Sequence, residues 1–272
     1  MDNLRETTVQ AALQTRWLGH TYYYRAETGS TNERLKRWLS TPEGADLPHG
    51  TVLLTDHQTQ GRGRLDRRWH APPGTSLLFS VLLRPHWPAE RQGWLTMIAG
   101  LAAAEAIEAL TDVTVALKWP NDVMLFVGGA WRKTAGILLE GSVGADGHLQ
   151  HAVLGIGINV NISPEALPEA PTPATSLLAA SGRSFSRLDL LSEVLSRLEA
   201  LYDAAAYGYS PAQEWERRLL TVGQDVEVTR PGAAPLTGEA EGTDAWGNLL
   251  VRDAAGTLHT IAAGDVTLRR KV

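Results

Sequence analysis

At about Leu220 the sequence changes character. Beyond it, short β-rich segments at 224–230, 236–241, 248–252 and 257–262 alternate with Pro-Gly, Gly-Asn and Ala-Gly turns. That spacing is the pattern of a small β-barrel of roughly fifty residues. Before it, strand-like and helix-like runs are mixed. An extended segment at 22–27 and runs at 51–55, 77–83, 113–119, 134–140 and 149–160 read as strands, the later ones parted by Asn-Asp, Gly-Gly and Asp-Gly turn signals. Residues 8–17 are expected to form a short helix, and Ser30-Thr31-Asn32-Glu33 has the caps and first-turn acid of a helix running to about Leu39 before the Pro42/Gly44 break. Residues 92–110, apolar at helical spacing and rich in alanine, read as a core helix. Residues 188–206 form an amphipathic helix with Leu191, Leu195, Leu198 and Tyr202 on one side. The expected fold class is α+β: a mixed-sheet domain over 1–222, then an all-β module over 223–272.

Composition narrows the chemistry. The chain has 272 residues and no cysteine, which excludes disulfides, thiolate metal sites and thiol catalysis. A net charge of −5 argues against a protein built to coat nucleic acid. The N-terminus is charged and polar, unlike a signal peptide, and no run of about 18 apolar residues offers a membrane span. The expected setting is cytoplasmic, with neither membrane nor nucleic acid as partner. Of 25 Lys plus Arg only Lys36, Lys118, Lys133 and Lys271 are lysines. A lysine in this chain therefore marks a place where a compact ammonium is wanted instead of a planar guanidinium.

The stretch from Gln58 to Trp69 has neither strand nor helix period and reads as a loop carrying Gly61, Gly63 and four arginines, Arg62, Arg64, Arg67 and Arg68. Glycines let backbone approach a ligand closely, and exposed amides with interleaved guanidiniums suit a phosphate. Four crowded like charges repel, so such a loop is expected to be mobile when empty and ordered by an anion. Trp69, at its end, is a candidate platform for an adenine ring. A solvated basic loop is the plainer alternative.

Lys118-Trp119-Pro120-Asn121-Asp122 ends a strand in a turn. A lysine there can neutralise charge developing between a carboxylate nucleophile and an α-phosphate, with Asp122 orienting it or helping to hold Mg²⁺. An ordinary hairpin with an exposed lysine is the alternative. Gly136 in 134–140, and Gly155 and Gly157 in 153–161, place small residues inside strands, which marks close approach by a ligand or by packing; taken alone, packing is the better reading.

Taken in order, STN at 30–32, Q-x-x-GRGR-x-x-R-x-W at 58–69, KWPND at 118–122, K-x-AGIL-x-E at 133–140 and GIGINVN at 155–161 resemble the biotin–protein ligases over essentially the whole chain. The resemblance implies a biotin/lipoate-ligase catalytic domain followed by an SH3-like β-barrel. It also implies activation of biotin by ATP to biotinyl-5'-AMP, with Mg²⁺, and transfer to a lysine of a biotin carboxyl carrier protein. Ser30, Thr31 and Gln58 match residues that hydrogen-bond the biotin ureido ring, and Asn32, Gly61, the Arg62 backbone, Ser80, Gly136, Gly155 and Gly157 fall in the same pocket. Arg64 and Arg67, with Gly63, match the loop that folds over the adenylate. Trp69 matches the adenine-stacking aromatic, Lys118 the lysine at carboxylate and phosphate, and Asn121, Lys133 and Asn159 further nucleotide-side contacts. Lys118 and Arg64 are the expected catalytic residues; no protein-bound metal site is expected.

The chain departs from the pattern where Asp66 stands in place of a third loop glycine and where Gly29 precedes STN instead of an acid. Asp tolerates left-handed backbone, but its charge is expected to loosen the grip on the adenylate. Fewer than thirty residues precede STN, too few for the winged helix of repressor relatives, so the ligase-only form is expected. A homodimer is compatible with the resemblance. Two rivals remain: a lipoate or octanoyl ligase or transferase, whose substrate lacks the ureido ring, and a biotin sensor that forms or holds the adenylate without transferring it.

Overall fold

The computed structural model describes residues 3–65, 67–170 and 172–268. In chain order the first unit comprises α1 (Glu6–Ala12), β1 (Tyr22–Thr28), α2 (Thr31–Leu39), α3 (Pro42–Ala45), β2 (Thr51–Gln58), β3 (Ser76–Leu83), α4 (Gln92–Leu110), β4 (Val115–Lys118), β5 (Asp122–Val127), β6 (Ala130–Val143), β7 (Leu149–Asn159), α5 (Leu177–Ser181), α6 (Arg187–Ala206) and α7 (Ala212–Arg217). Five strands complete the chain: β8 (Asp225–Thr229), β9 (Leu236–Thr243), β10 (Leu249–Arg252), β11 (Leu258–Ile261) and β12 (Asp265–Leu268).

The first seven strands make one mixed sheet in the order β1-β2-β3-β7-β6-β5-β4. β1 and β2 are parallel, joined through α2 and α3, and every other pairing in that sheet is antiparallel. Alternation along the strands sorts residues to two faces. On β6 and β7, Ala135, Ile137, Ile156 and Ile158 enter the main core against α4 and α6. Their neighbours Gly136, Leu138, Gly155 and Gly157 border a cavity on the other face, where Leu35 of α2 packs with Leu47, Leu53, Leu82 and Val153 in a smaller core. The site therefore sits on the thinly covered face, beside α2.

α4 is apolar on nearly every side, and with the turn before it (89–110) it is long and apolar enough to cross a membrane by length and composition. Here it is a core helix, as the alanine-rich sequence implies: Ile98, Leu101, Ala102 and Ile107 are at most 1% exposed between sheet and α6.

The C-terminal strands form a separate antiparallel sheet, β11-β10-β9-β8-β12, of the small SH3-like barrel kind. Its β9–β10 turn is fastened to the first unit. Trp94 Nε1 donates to the Ala245 carbonyl at 2.8 Å and Trp119 Nε1 to the Gly247 carbonyl at 2.9 Å, while Trp94 and Trp246 stack at 6.1 Å. A side chain at Gly93 would sit 2.2 Å from the Trp246 carbonyl, so only glycine lets the turn dock there.

Two strands are additions to the sequence reading. Asp122–Val127 is β5, which begins inside the KWPND turn and makes that motif the bend of a hairpin with β4. Asp265–Leu268 is β12, which pairs with β8. The short helices α5 and α7 are also additions, and the first helix ends at Ala12, earlier than its sequence pattern implies.

Candidate active site

Two groups of side chains face each other across β6 and β7. The first is neutral at its floor. Ser30 caps α2 by accepting from Glu33 N at 3.5 Å, which fixes the turn between β1 and the helix. Thr31 N–H donates to Gln58 Oε1 at 2.8 Å. A backbone N–H can only donate, so the Gln58 amide is held with its oxygen towards Thr31, leaving Nε2 to donate beside Gly61. Asn32 is 3% exposed and fully engaged: Nδ2 donates to Glu140 Oε2 at 2.9 Å and to the Leu138 carbonyl at 3.2 Å, and Oδ1 accepts from Ser80 Oγ at 2.5 Å.

Gly155 stands between Ser80 and Leu138 in the sheet register. A Cβ there would lie 2.3 Å from Asn32 Oδ1, so this glycine makes room for the carboxamide. Gly136 and Gly157, paired across β6 and β7, lie under the Trp69 indole, whose ring carbons would meet their added Cβ atoms at 3.1 and 2.9 Å. The strand glycines thus accommodate packing side chains, as the residue types alone imply. Trp69 Nε1 is buried with no hydrogen-bond partner. The cavity bounded by Ser30, Thr31, Gln58, Arg62, Gly155 and Gly157 holds only about 30 Å³, about one water.

The second group is cationic. Lys118 at the end of β4, Lys133 on β6 and Arg64 from the loop gather around Asp122, with Asp265 of the barrel a second carboxylate close enough to act on Lys118 and Arg64. Lys133 Nζ is 2.6 Å from Asp122 Oδ1 and 5.7 Å from the Trp69 ring centroid. The Lys118 ammonium has no hydrogen-bond partner among the described residues; burial holds it below the usual lysine range, with Asp122 opposing and Lys133 adding to the shift. Arg64 is likewise lowered by burial, and its closest polar contact is a long 3.5 Å approach to Asn121 Oδ1. Asn121 is held by donating Nδ2 to the Ile137 carbonyl at 2.7 Å. Asp122 pairs with Lys133 and Asp265 with Arg67, which leaves Lys118 and Arg64 without a paired carboxylate among the described residues, so the cluster calls for an anion. At the end of β7, Asn159 Nδ2 donates to the Thr175 carbonyl at 3.0 Å, while its buried Oδ1 has no partner. A cleft of about 540 Å³, bordered by Arg64, Trp119, Asn121, Trp246 and Asn248, runs from the cationic end to the barrel.

The loop is not a crowd of repelling charges. Arg62 and Arg68 form a β-bridge, Gly63 N donates to the Arg67 carbonyl at 2.7 Å and Trp69 N to the Gly61 carbonyl at 3.0 Å. Three guanidiniums point to different elements: Arg62 pairs with Glu33 and approaches Glu140, Arg64 approaches Asn121, and Arg67 pairs with Asp265 of the barrel. Asp66 lies outside the described residues, and so does Lys271.

Lys36 and Glu140 were missed by the sequence reading as members of the site. Lys36 Nζ contacts Glu33 at 2.9 Å and Glu140 at 2.7 Å. These bonds raise the Lys36 pKa, the Glu140 contact foremost, and the Lys36 bond lowers that of Glu33. The scarcity of lysine was the available signal: all three described lysines, Lys36, Lys118 and Lys133, lie at the site.

A neutral hydrogen-bonding pocket joined to a cationic cluster defines a protein that holds a small polar group and an anion side by side. Residues 27–159 match the biotin/lipoate A/B protein ligase family, and residues 221–269 match the biotin protein ligase C-terminal domain. The biotin–[acetyl-CoA-carboxylase] ligase of Mycobacterium tuberculosis is 35% identical over 275 residues, covering 97% of this chain and 97% of that protein. That of Paracoccus denitrificans is 35% identical over 89% of this chain and 98% of its own length. The biotin protein ligase from Aquifex aeolicus in complex with biotin and ATP superposes with a TM-score of 0.74 at 32% identity, covering 93% of this chain and 100% of that one. The chain belongs to the biotin–protein ligase family.

Proposed function

We propose that the chain activates biotin with Mg·ATP and passes the biotinyl group to a lysine of a biotin carboxyl carrier protein. The observation that carries this reading is the excess of cations, Arg64, Lys118 and Lys133, around Asp122 at the open edge of a neutral pocket. In the first step the biotin carboxylate attacks the α-phosphate and pyrophosphate leaves. In the second, the lysine amine attacks the carbonyl of the mixed anhydride and AMP leaves.

Ser30, Thr31 and Gln58 offer the few directed hydrogen bonds that a neutral bicyclic urea needs, and the small cavity fits a site that opens as Trp69 moves off the strand glycines. Lys118 and Arg64 neutralise the charge shared by carboxylate and α-phosphate, with Lys133 beside them. The unpartnered Asn159 Oδ1 is an acceptor for an amino group of the base, and Asn121 borders the phosphates. Gly63, Arg64 and Arg67 close over the adenylate, and the Arg67–Asp265 pair ties that closure to the barrel. Among the described residues no three His, Asp or Glu side chains gather as metal ligands. In this reading Mg²⁺ would come with ATP and help neutralise its phosphates, and Asp122 is a carboxylate at the cationic cluster that could help hold it. The same reading takes 1–222 as the catalytic unit and 223–272 as the barrel, working in the cytoplasm without nucleic acid or membrane.

The test is pyrophosphate release with Mg·ATP and biotin, lipoate in parallel, and transfer to a carboxyl carrier domain. Biotin-dependent release with a labelled carrier supports the reading. Release without transfer makes the protein a sensor, and turnover with lipoate alone refutes the assignment of the pocket.

A further inference from the structure

β4 is the outer strand of the first sheet and carries Lys118 at its last position. One side of it pairs with β5, where Lys118 stands opposite Asp122. The other side would be a bare edge, but the segment leading from α7 to the barrel lies along it in parallel, Leu117 beside Leu219. Leu117 N donates to the Arg218 carbonyl at 2.8 Å, and Leu220 N donates to the Leu117 carbonyl at 2.8 Å. An even parallel ladder would next send Trp119 N to the Leu220 carbonyl. The Thr221 hydroxyl accepts that bond instead, at 3.1 Å. The Trp119 indole is tied down as well, since its Nε1 donates to the Gly247 carbonyl at 2.9 Å. Thr221 is 0% exposed and Trp119 2% exposed, so water cannot take the place of the hydroxyl.

The Lys118 ammonium has no hydrogen-bond partner among the described residues, so nothing at its tip decides where it sits. A lysine stem is flexible, and its reach is then set by the backbone that carries it. We propose that Thr221 is a positioning residue for Lys118: by accepting from the Trp119 N–H it fixes the end of β4, and with it the direction from which the ammonium meets a carboxylate and an α-phosphate. The inference rests on the biotin reading above and deepens it by naming a residue outside the site on which the adenylation step depends. Valine has nearly the shape of threonine and lacks the acceptor, whereas serine keeps the acceptor and lacks the methyl group. The pair therefore separates the hydrogen bond from the packing.

The experiment compares Thr221→Val and Thr221→Ser with wild type in biotin-dependent pyrophosphate release, at a temperature where thermal melting shows all three folded. Thr221→Val leaves the buried Trp119 N–H without an acceptor, so the end of β4 moves to find one. The expected result is a fall in kcat of about tenfold or more, because a misplacement of about 1 Å can cost up to about 10² in rate. Biotin affinity by calorimetry is expected to stay within about threefold, since Ser30, Thr31 and Gln58 belong to α2 and β2 and not to β4. Thr221→Ser is expected to return kcat to within about threefold of wild type. A wild-type kcat in Thr221→Val, a loss of biotin affinity as large as the loss in kcat, or a serine variant no better than the valine one overturns the proposal and leaves Thr221 a structural residue. Absence of biotin-dependent pyrophosphate from wild type itself overturns the biotin reading, and this proposal with it. Should Thr221→Val not fold, Trp119→Phe cuts the neighbouring tie to Gly247, and a kcat within about threefold of wild type in that variant overturns the proposal.

Discussion

Gly155→Ala adds one methyl group where the structure has least room for it. The new carbon would lie 2.3 Å from Asn32 Oδ1, 3.0 Å from its Cγ and 3.1 Å from its Nδ2. An ordinary contact needs about 1 Å more, within the 3.5–4.0 Å optimum for nonbonded carbon atoms or slightly below it. A shift of that size away from the new methyl is enough to break the carboxamide's bonds to Glu140 and the Leu138 carbonyl and to stretch the one to Ser80 to the limit of hydrogen-bonding range. Leaving one buried polar group unpaired costs about 1–3 kcal/mol, and the gain from removing a glycine inside a strand offsets only about 0.5–1 kcal/mol. The net expectation is a loss of about 1–2 kcal/mol in stability. Biotin affinity is expected to fall by about ten- to a hundredfold, because the displaced amide no longer orders Ser80 and Thr31. Calorimetric titration with biotin and a denaturant curve measure the two effects. Gly141→Ala, in the neighbouring strand β6, is the control: its Cβ would meet only the end of the Gln92 side chain and a Leu149 methyl at 3.4 Å. Wild-type biotin affinity in Gly155→Ala would refute the argument that this glycine exists to seat Asn32.

Three further outcomes are expected. Lys118→Ala lowers biotin-dependent pyrophosphate release by about 10²–10³ while biotin still binds by calorimetry. Because burial lowers the Lys118 pKa and the cationic form is the active one, wild-type activity falls as pH rises at a pH below that of a free lysine; normal release by the variant sinks the assignment. Arg64→Gly releases free biotinyl-AMP and labels bystander lysines, seen by mass spectrometry of mixed proteins, whereas labelling confined to the carrier means that Arg64 is not the cover. Glu199 accepts from the N–H groups of Arg16, Trp17 and Leu18, and although burial raises its pKa most, the hydrogen bonds from Leu18, Arg16 and Trp17 together leave it lowered. Its stabilisation is thus present above the unfolded carboxylate value and lost as pH falls through the lower folded one, so the melting-temperature gap between wild type and Glu199→Gln narrows in acid. A gap independent of pH from 7 to about 3 contradicts this.

Much of the molecule was legible before any coordinates. The apolar period of α4, the Ser30 cap of α2, and the turn chemistry of the C-terminal strands are relations between residues a few positions apart, and local sterics decide them. The five motifs were legible for the same reason, since each is a contiguous run. β5 escaped because it starts within the KWPND turn, so its first residue reads as turn and the rest is a short apolar run without a clear boundary. β12 escaped as four residues near the C-terminus whose extended state comes from pairing with β8.

What only the tertiary structure decided are contacts between residues far apart in the chain. Asn32 and Glu140 are 108 positions apart, and Arg67 and Asp265 are 198 apart. In sequence the loop arginines are four neighbouring like charges; in the fold Arg62, Arg64 and Arg67 reach partners supplied by α2 and β6, the β4–β5 bend and the barrel. Whether Gly155 serves a ligand or a side chain was likewise open in sequence, because a missing Cβ says that something comes close without saying what. The sheet register answers it by setting Gly155 between Ser80 and Leu138, beneath the amide of Asn32. Hydrogen-bond direction is a property of the whole buried network, so it exists only once α2, β3, β6 and β7 are packed together.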